Sequence, residues 1–288
     1  MYLLPFPVID PVALNLGIVS IYWYGIAYLA GIVIAWGYAR RIGHLFNLSY
    51  KQIDDFITWE VIGIILGGRL GYVLFYDPMH FLAHPLEILN TRQGGMAFHG
   101  GFLGVVIVSI LYCRKMKIPL MTFGDMLAVV APVGLFLGRI ANFINSEHYG
   151  RPTDVSWAMI FPRSEGLPRH PSQLYEAIGE GLLLGLITWG YMKWLTRRSA
   201  SQPVLGEIEP AGAPSSLLSA PGRLSGLLSE PGRLSGVFVL SYGVIRFWLE
   251  FYRHPDAFVS IGVLSLTLGQ ALCLPMVMMG LYWICRKV

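Results

Sequence analysis

MLAVVAPVGLFLGRIANFINSEHYG, residues 126 to 150, is the stretch that decides how this chain can fold. Its first 19 residues, Met126–Ile144, are almost wholly apolar and suit a helix in hydrocarbon, but Arg139 interrupts them. The stretch then ends in polar residues that suit an aqueous surface. Because an arginine keeps its charge inside a protein, a buried one needs an anion. The sequence therefore predicts a polar site at Arg139 within an apolar helix.

The composition of the whole chain is that of a membrane protein. Of its 288 residues, 55% are hydrophobic and 13% are charged, and the mean hydropathy is +0.57. Soluble domains carry about 25% charged residues. The net charge of +4 is small and spread over several segments, so we expect no nucleic-acid partner. The three cysteines lie within or at the ends of apolar runs, which indicates packing residues rather than disulfides or metal ligands.

Apolar runs of roughly the 20 residues that cross a bilayer recur along the chain. The first run is longer than the apolar core of a signal peptide, so we treat it as a retained span. We predict an all-α membrane protein, a polytopic bundle of about seven transmembrane helices at Leu16–Tyr38, Phe56–Tyr76, Met96–Cys113, Met126–Ile144, Gln173–Leu195, Val237–Tyr252 and Val259–Cys285. Residues 1–288 then form a single integral membrane domain, with a small periplasmic cap at residues 145–172.

The orientation follows from where the basic residues collect. Alternate connections and the C-terminus hold most of them, namely Arg40, Arg41, Lys51, Arg114, Lys115, Lys117, Lys193, Arg197, Arg198, Arg223, Arg233, Arg286 and Lys287. The positive-inside rule assigns these connections to the cytoplasm. An odd number of spans then places the N-terminus outside and the C-terminus in the cytoplasm. In a bacterial inner membrane, the outer side is the periplasm.

Residues 199–236 differ in composition from the rest and are rich in Pro, Gly and Ser. They contain a tandem decapeptide, LLSAPGRLSG at Leu217–Gly226 and LLSEPGRLSG at Leu227–Gly236, in which the copies differ at one position. This pattern predicts a cytoplasmic low-complexity loop that acts as a linker.

Ionisable side chains within the predicted spans mark a polar interior of the bundle, because each costs about 2.5–3.5 kcal/mol to insert. They are Glu60, Arg69, His99, Arg139, Glu176, Glu180, Arg246 and Glu250. The three arginines carry planar forks that match a carboxylate or a phosphate.

Arg139 has no acidic residue within four positions, and Asn142 shares its helix face. Arginine and amide donors on one face are typical of an oxyanion or phosphate site. For each arginine, an ion pair within the protein stays open as an alternative to a bound anion. A neighbouring helix can supply the anion of Arg139 from Glu147, Glu176 or Glu180. Arg246 can form a structural ion pair with Glu250, four residues along its own helix.

His99 lies in GGMAFHGG, residues Gly94–Gly101, where the flanking glycines let a ligand or another backbone come close. A neutral imidazole there suits a general base, and a hydrogen-bonded structural histidine at a helix end is the alternative.

Tyr24, in YWYG, is explained most simply by an interfacial aromatic belt. The seven histidines form no metal-binding pattern, so we expect no metal.

Several segments together resemble the prolipoprotein diacylglyceryl transferase family. GRIANFINSEHYG at Gly138–Gly150 is similar to the family pattern GRx[GA]NFxNxExxG at every fixed position. Further similar segments follow in the family's order: YWYG at Tyr22–Gly25, LGGRLGY at Leu66–Tyr72, GGMAFHGG at Gly94–Gly101, RHPSQLYE at Arg169–Glu176 and YGVIRFWLEFYR at Tyr242–Arg253. The resemblance covers nearly the whole chain apart from the decapeptide loop.

The resemblance implies an enzyme that moves the diacylglyceryl group of phosphatidylglycerol to the lipobox cysteine in the signal peptide of a prolipoprotein. It implies a multi-pass enzyme of the bacterial inner membrane, surrounded by membrane lipids, and no cofactor. By the same resemblance, the catalytic residues are His99, Arg139, Arg246 and Tyr24, with His99 as the general base. Substrate binding is assigned to Arg139, Asn142, Glu147, Tyr242, Glu250 and Gly100.

A transporter or flippase for a lipid or an anionic solute is the alternative of a different class, because buried charges also line transport pathways. The two halves of the sequence show no paired, interrupted spans. The predicted outer placement of His99, Arg139 and Arg246 also favours a site that opens to one side, which disfavours transport.

Overall fold

Nearly all of the secondary structure is helical. The computed structural model describes residues 4–17, 20–90, 94–200, 227, 230–255, 257–261 and 264–286. It divides into two compact units, which are described separately. The large unit is Met1–Ala39 with Gly124–Val288, and the small unit is Arg40–Phe123.

Helices account for most of the described residues. In chain order they are α1 (Trp23–Ile42), α2 (Tyr50–Phe75), α3 (Pro78–Ala83), α4 (Phe98–Met116), α5 (Leu120–Ile144), α6 (Ser172–Glu176), α7 (Leu184–Ala200), α8 (Arg233–Leu249) and α9 (Leu268–Cys285). A π-helical segment, Ala177–Leu183, joins α6 to α7. Within the described residues, α2, α5 and α9 meet length and hydropathy criteria for crossing a membrane. The predicted helical membrane class is confirmed.

The predicted first and last spans began too early. Val12–Asn15 (β2) and Ser20–Tyr22 (β3) are antiparallel strands before α1, and Phe258–Ile261 (β6) pairs with Leu264–Thr267 (β7) before α9. The reason lies in the alternation of apolar residues and serine around β6 and β7, which is a strand period. Helix α9 begins only after Thr267, whose Oγ1 accepts a hydrogen bond from the Gln270 N–H at 3.2 Å.

The segment at residues 145–172, predicted as the cap, is mostly irregular. Two short strands lie within it, Met159–Ile160 (β4) and Pro168–Arg169 (β5), and Leu4–Pro5 (β1) completes a sheet of order β1–β4–β5. An isolated bridge also joins Gly150 to Arg253. We call Gly138–Gly150, which matches the family pattern, the signature segment. The bridge fixes the end of this segment against residues that follow α8. The periplasmic position of the segment stays a prediction.

The predicted loop at residues 199–236 was too long at its C-terminal end. Residues Arg233–Gly236 form the first turn of α8, because buried Asp125 accepts hydrogen bonds from the Gly232 N–H at 2.7 Å and the Ser235 N–H at 2.6 Å. A carboxylate in this position satisfies N–H groups that a helix start leaves open. The first decapeptide copy, Leu217–Gly226, lies outside the described residues.

In the small unit, α2 and α4 pack against each other through glycines. A Cβ atom on Gly63 would lie 2.7 Å from Val108 Cγ2, and one on Gly67 would overlap Gly100 O. The backbones therefore approach more closely than side chains would allow. Gly100, which was predicted to bind substrate, lies in this contact, since its own Cβ would meet Gly67 O.

Candidate active site

Arg139, near the end of α5, faces two glutamates. Its Nε lies 2.9 Å from Glu176 Oε2, and its Nη2 donates a hydrogen bond to Glu180 Oε2 at 3.2 Å. The alternative that a neighbouring helical segment supplies the anion of Arg139 is confirmed. The anions are the carboxylates of Glu176 and Glu180.

Arg246 of α8 shares both carboxylates. Its Nη1 donates to Glu176 Oε1 at 3.1 Å and to Glu180 Oε1 at 3.2 Å. Its Nη2 lies 2.9 Å from Glu250 Oε2, so the ion pair predicted within one helix face is also confirmed. Each guanidinium of the pair Arg139 and Arg246 is therefore held by more than one carboxylate.

A third arginine completes the cluster. Arg253, beyond the end of α8, donates from Nη1 to Glu176 Oε1 at 3.2 Å. We call the six residues the ion network: Arg139, Glu176, Glu180, Arg246, Glu250 and Arg253. Three positive and three negative side chains give the network no net formal charge, which lowers the cost of burying it.

The sequence RHPSQLYE positions the carboxylates. Glu176 ends α6, and Glu180 lies in the π-helical segment, an element that often occurs at functional sites. At the start of α6, Gln173 Nε2 donates to the Glu147 carbonyl at 2.6 Å and Ser172 Oγ to the His148 carbonyl at 3.0 Å. These bonds tie the carboxylates of the network to the end of the signature segment.

Burial separates the two signs of charge in the network. The side chains of Glu176 and Glu180 are 1% and 0% exposed, whereas that of Arg139 is 21% exposed and that of Arg246 is 14% exposed. The carboxylates therefore lie behind the arginines, and the accessible surface of this pair of arginines is positive. Such a surface is suited to an incoming anion.

Other predicted site residues of the large unit lie around the network. The charges of Glu147 and Arg139 act on the hydroxyl of Tyr24. The charge of Arg139 also acts on the hydroxyl of Tyr242. Asn142 is buried, and its backbone carbonyl accepts a hydrogen bond from the Glu147 N–H at 2.9 Å. The structure thus brings these residues together, and their roles toward a substrate stay predictions.

Glu250 depends on a glycine that the sequence reasoning missed. A Cβ atom on Gly269, in the first turn of α9, would lie 2.6 Å from the carboxyl carbon and 2.7 Å from both carboxyl oxygens of Glu250. Only a residue without a side chain lets the carboxylate keep its place beside Arg246. A glycine at a helix start gives no signal of this contact in the sequence.

Replacing Gly269 by alanine is expected to displace Glu250 and lower stability by about 1–3 kcal/mol, as overpacking does. Thermal unfolding of the purified protein in detergent measures this loss. Gly190→Ala is the matched control, because a Cβ on Gly190 in α7 meets nothing within 4 Å. Equal melting temperatures of the two variants would contradict the proposed contact.

His99 lies in the small unit, in the first turn of α4, and its side chain is exposed. Its role as general base stays a prediction.

Arg69 is a structural residue and not an anion site. It is buried in α2, and its five N–H groups donate to five backbone carbonyls. The distances are 2.6–3.1 Å, and the carbonyls belong to Glu87, Ile88, Asn90, Gly94 and Gly95. Backbone carbonyls therefore satisfy the Arg69 guanidinium. From the sequence alone, a phosphate would have been an equally good partner for it. The same bonds fix the backbone that leads into α4 and His99.

Replacing Arg69 by alanine is expected to lower stability by roughly 3 kcal/mol or more, because several hydrogen bonds to a charged group are lost together. Lysine, with three donors and no planar fork, should recover only part of the loss. Thermal unfolding of both variants in detergent tests this. Arg114→Ala, at an exposed arginine of α4, serves as the control and should melt like the unchanged protein. A melting temperature of Arg69→Ala equal to that of Arg114→Ala would refute the structural role.

His148 is a second candidate base, which occupies a variable position of the signature and so escaped the sequence reasoning. Burial, together with the positive charges of Arg253 and Arg139, lowers the pKa of His148. The imidazole is then neutral at pH 7 and able to accept a proton. Its backbone has φ of +54°, in the left-handed region, which this loop imposes on a residue other than glycine.

The fold and the site together define a helical membrane protein whose buried polar centre is built from arginines and glutamates. A family model described as prolipoprotein diacylglyceryl transferase matches residues 11–207 and 220–286. The chain belongs to this family.

Relatives of nearly full length agree with this membership. The chain is 43% identical over 282 residues to the phosphatidylglycerol–prolipoprotein diacylglyceryl transferase of Bordetella bronchiseptica, which covers 96% of this chain and 95% of that protein. It is 43% identical over 284 residues to the protein of the same name from Rickettsia akari, with 98% of each chain covered. The protein of that name from Rhodospirillum rubrum is 43% identical over 289 residues, with 98% of this chain and 93% of that protein covered.

The family resemblance drawn from the motifs is confirmed, and the chain is a transferase. Membership of this family argues against the transporter alternative.

Proposed function

We propose that this chain transfers the diacylglyceryl group of phosphatidylglycerol to the lipobox cysteine thiol of a prolipoprotein, the first step of bacterial lipoprotein maturation. The observation that carries the site assignment is the positive accessible surface of Arg139 and Arg246 in front of buried carboxylates. A phospholipid phosphate is an anion whose geometry matches two arginine forks.

The reaction exchanges a carbon–oxygen bond for a carbon–sulfur bond. The cysteine thiolate attacks the glyceryl carbon that bears the phosphate, a thioether forms, and glycerol 1-phosphate leaves with the electron pair of the broken bond. The thiol proton passes to a base. Because the departing phosphate gains one negative charge, preorganised cations beside it lower the barrier.

Arg139 and Arg246 hold the phosphate in this proposal. Glu176 and Glu180 fix the two guanidiniums before the substrate arrives, so little reorganisation is needed at the moment of reaction. Asn142 assists Arg139 in head-group binding, as the sequence predicted. Substrate contacts of Tyr24, Glu147, Tyr242, Glu250 and Gly100 are part of the same proposal.

His99 takes the thiol proton in this proposal. A thiol is mostly protonated at neutral pH, and the thiolate is the nucleophile, so a base speeds the reaction. The substrate brings its own cysteine. The enzyme's cysteines are free thiols, with Cys113 and Cys273 buried, and need no reactive role.

The proposed membrane arrangement has seven spans: α1, α2, α4, α5, the continuous run from α6 to α7, α8 and α9. The distribution of lysine and arginine supports a periplasmic N-terminus, a cytoplasmic C-terminus and a periplasmic cap at residues 145–172. The enzyme then lies in the bacterial inner membrane among membrane lipids. Its site receives the signal peptide of a prolipoprotein from the periplasmic side.

Mass spectrometry tests the reaction directly. The purified protein is incubated with phosphatidylglycerol and a lipobox peptide, and the peptide is expected to gain the mass of a diacylglyceryl group. A peptide with serine in place of cysteine is the control and should gain none. If the cysteine peptide stays unmodified while vesicles containing the protein move lipid between leaflets, the transporter alternative replaces the proposal.

A further inference from the structure

A groove on the surface of the small unit is lined by none of the residues to which the proposed reaction assigns a role. It runs between α2 and α4 and has a volume of about 450 Å³. Its lining residues are mostly apolar: Trp59, Ile62, Gly63, Leu66, Gly67, Leu70, Gly104, Ile107, Val108, Leu111, Tyr112 and Lys115. The volume is that of a site for a small ligand, about 300–1,000 Å³.

The groove exists because glycines form its floor while large side chains form its rims. Gly63, Gly67 and Gly104 let the helix backbones touch and leave no side chain to fill the space above them. On the rims, Leu66 of α2 is 56% exposed and Leu111 of α4 is 58% exposed. The result is an apolar groove between α2 and α4.

The length of the groove matches one leaflet of a bilayer. From Trp59 to Leu70 the helix α2 advances about 16 Å at 1.5 Å per residue. The hydrocarbon core of a membrane is about 30 Å thick, so the groove spans about half of it. An apolar groove of this length suits an acyl chain.

One end of the groove is basic and aromatic. The Nζ of Lys115 lies 5.7 Å from the centre of the Trp59 ring, and among the described residues that line the groove Lys115 is the only charged one. The Tyr112 hydroxyl is already used, since it donates to the Gln52 carbonyl at 2.6 Å. An ammonium beside an indole ring at the end of an apolar groove is suited to a lipid phosphate at the membrane surface.

We propose that this groove binds an anionic phospholipid that is not consumed, with one acyl chain between α2 and α4 and the phosphate on Lys115. The charge of Lys115 distinguishes anionic from zwitterionic lipids. By the distribution of lysine and arginine, this end of the groove faces the cytoplasm, so the bound lipid comes from the cytoplasmic leaflet. None of the residues that line the groove belongs to the ion network.

Native mass spectrometry of the full chain in detergent tests the charge selectivity. The probes are phosphatidylserine and phosphatidylcholine with identical acyl chains, and phosphatidylserine is expected to be retained preferentially. Lys115→Gln should lower its retention about fivefold, the effect of one basic residue near a membrane surface. Lys117→Gln, at the other exposed lysine of this helix end, is the matched control and should leave retention unchanged.

A second pair of variants tests the groove itself. Ile62 lines the groove and is 40% exposed, whereas Ile65, one turn away on α2, does not line it and is 47% exposed. Ile62→Trp should fill the groove and lower retention of the lipid at least fivefold, and Ile65→Trp should not. Thermal unfolding of each variant shows that it is folded.

Four outcomes overturn the proposal. Phosphatidylserine and phosphatidylcholine bind equally, or Lys115→Gln and Ile62→Trp both retain lipid like their controls. Alternatively, a dimer mass appears that Ile62→Trp abolishes, which identifies a second copy as the occupant. Transfer of diacylglyceryl to a lipobox peptide at saturating phosphatidylglycerol should continue in Lys115→Gln. Its loss would assign the groove to the reaction and contradict a separate lipid site.

Discussion

Replacing Arg139 by alanine is expected to lower transfer of labelled diacylglycerol to a lipobox peptide about 100- to 1,000-fold, the effect of removing one preorganised donor to a developing anion. The physical reason is that Arg139 supplies part of the accessible positive surface in front of Glu176 and Glu180. Turnover of the purified variant in detergent measures the loss. Near-normal turnover would refute the phosphate role of Arg139.

The same change also breaks a buried ion pair, which by itself can cost about 3–5 kcal/mol of stability. A charge-balanced variant separates the two effects. Arg139→Ala combined with Glu180→Gln removes one of the two carboxylates that Arg139 contacted and makes the ion network neutral again, so we expect it to melt at a higher temperature than Arg139→Ala alone. Transfer should stay low in both. Recovery of transfer in the double variant would show that Arg139 serves only to neutralise Glu180.

Replacing His99 by glutamine should lower transfer about 100- to 10,000-fold, the usual range for the loss of a general base. Glutamine keeps a hydrogen-bonding group of similar size but cannot accept the thiol proton. The thermal unfolding of His99→Gln should match that of the unchanged enzyme. Transfer assays of both proteins at one neutral pH measure the difference in rate.

His148→Gln is the matched control for this prediction. Its imidazole is close to Arg139 and Arg253 and belongs to the signature segment. If His99→Gln keeps the rate of the unchanged enzyme and His148→Gln loses it, the base is His148 and the role of His99 is wrong. If both variants keep the rate, the base lies elsewhere.

Arg69 and Arg139 show where sequence reasoning about charges ends. Both are arginines inside apolar helices, and their spacing to acidic residues along the chain does not tell them apart. In the structure, Arg69 is satisfied by five loop carbonyls and Arg139 by two carboxylates. The partners come from residues 18 to 41 positions away, so no local pattern specifies them.

The strands before α1 and α9 show a different limit. Hydropathy alone extended the last span back to Val259, because Val, Ile and Leu suit a strand and a membrane helix equally well. The alternation of apolar residues and serine with a period of two at residues 258–267 correctly indicates strands. At α8, by contrast, the helix start at Arg233 depends on Asp125, which lies 107 residues before Gly232 in the chain.

The sequence by itself determined the membrane class, the helical fold, the family and the residues that carry charge into the apolar interior. These properties follow from composition, run length and motifs, which are local along the chain. Only the tertiary structure decided which of those charges meet. It joined Arg139 and Arg246 through shared carboxylates, bonded Arg69 to backbone carbonyls of residues 87–95 and placed Gly269 against Glu250. Contacts between helices depend on how faces turn toward each other in space, and that rotation is set by packing over the whole unit. The apolar stretch that ends at Ile144 therefore predicted that Arg139 is buried, and the fold supplied Glu176 and Glu180, whose carboxylates hold it.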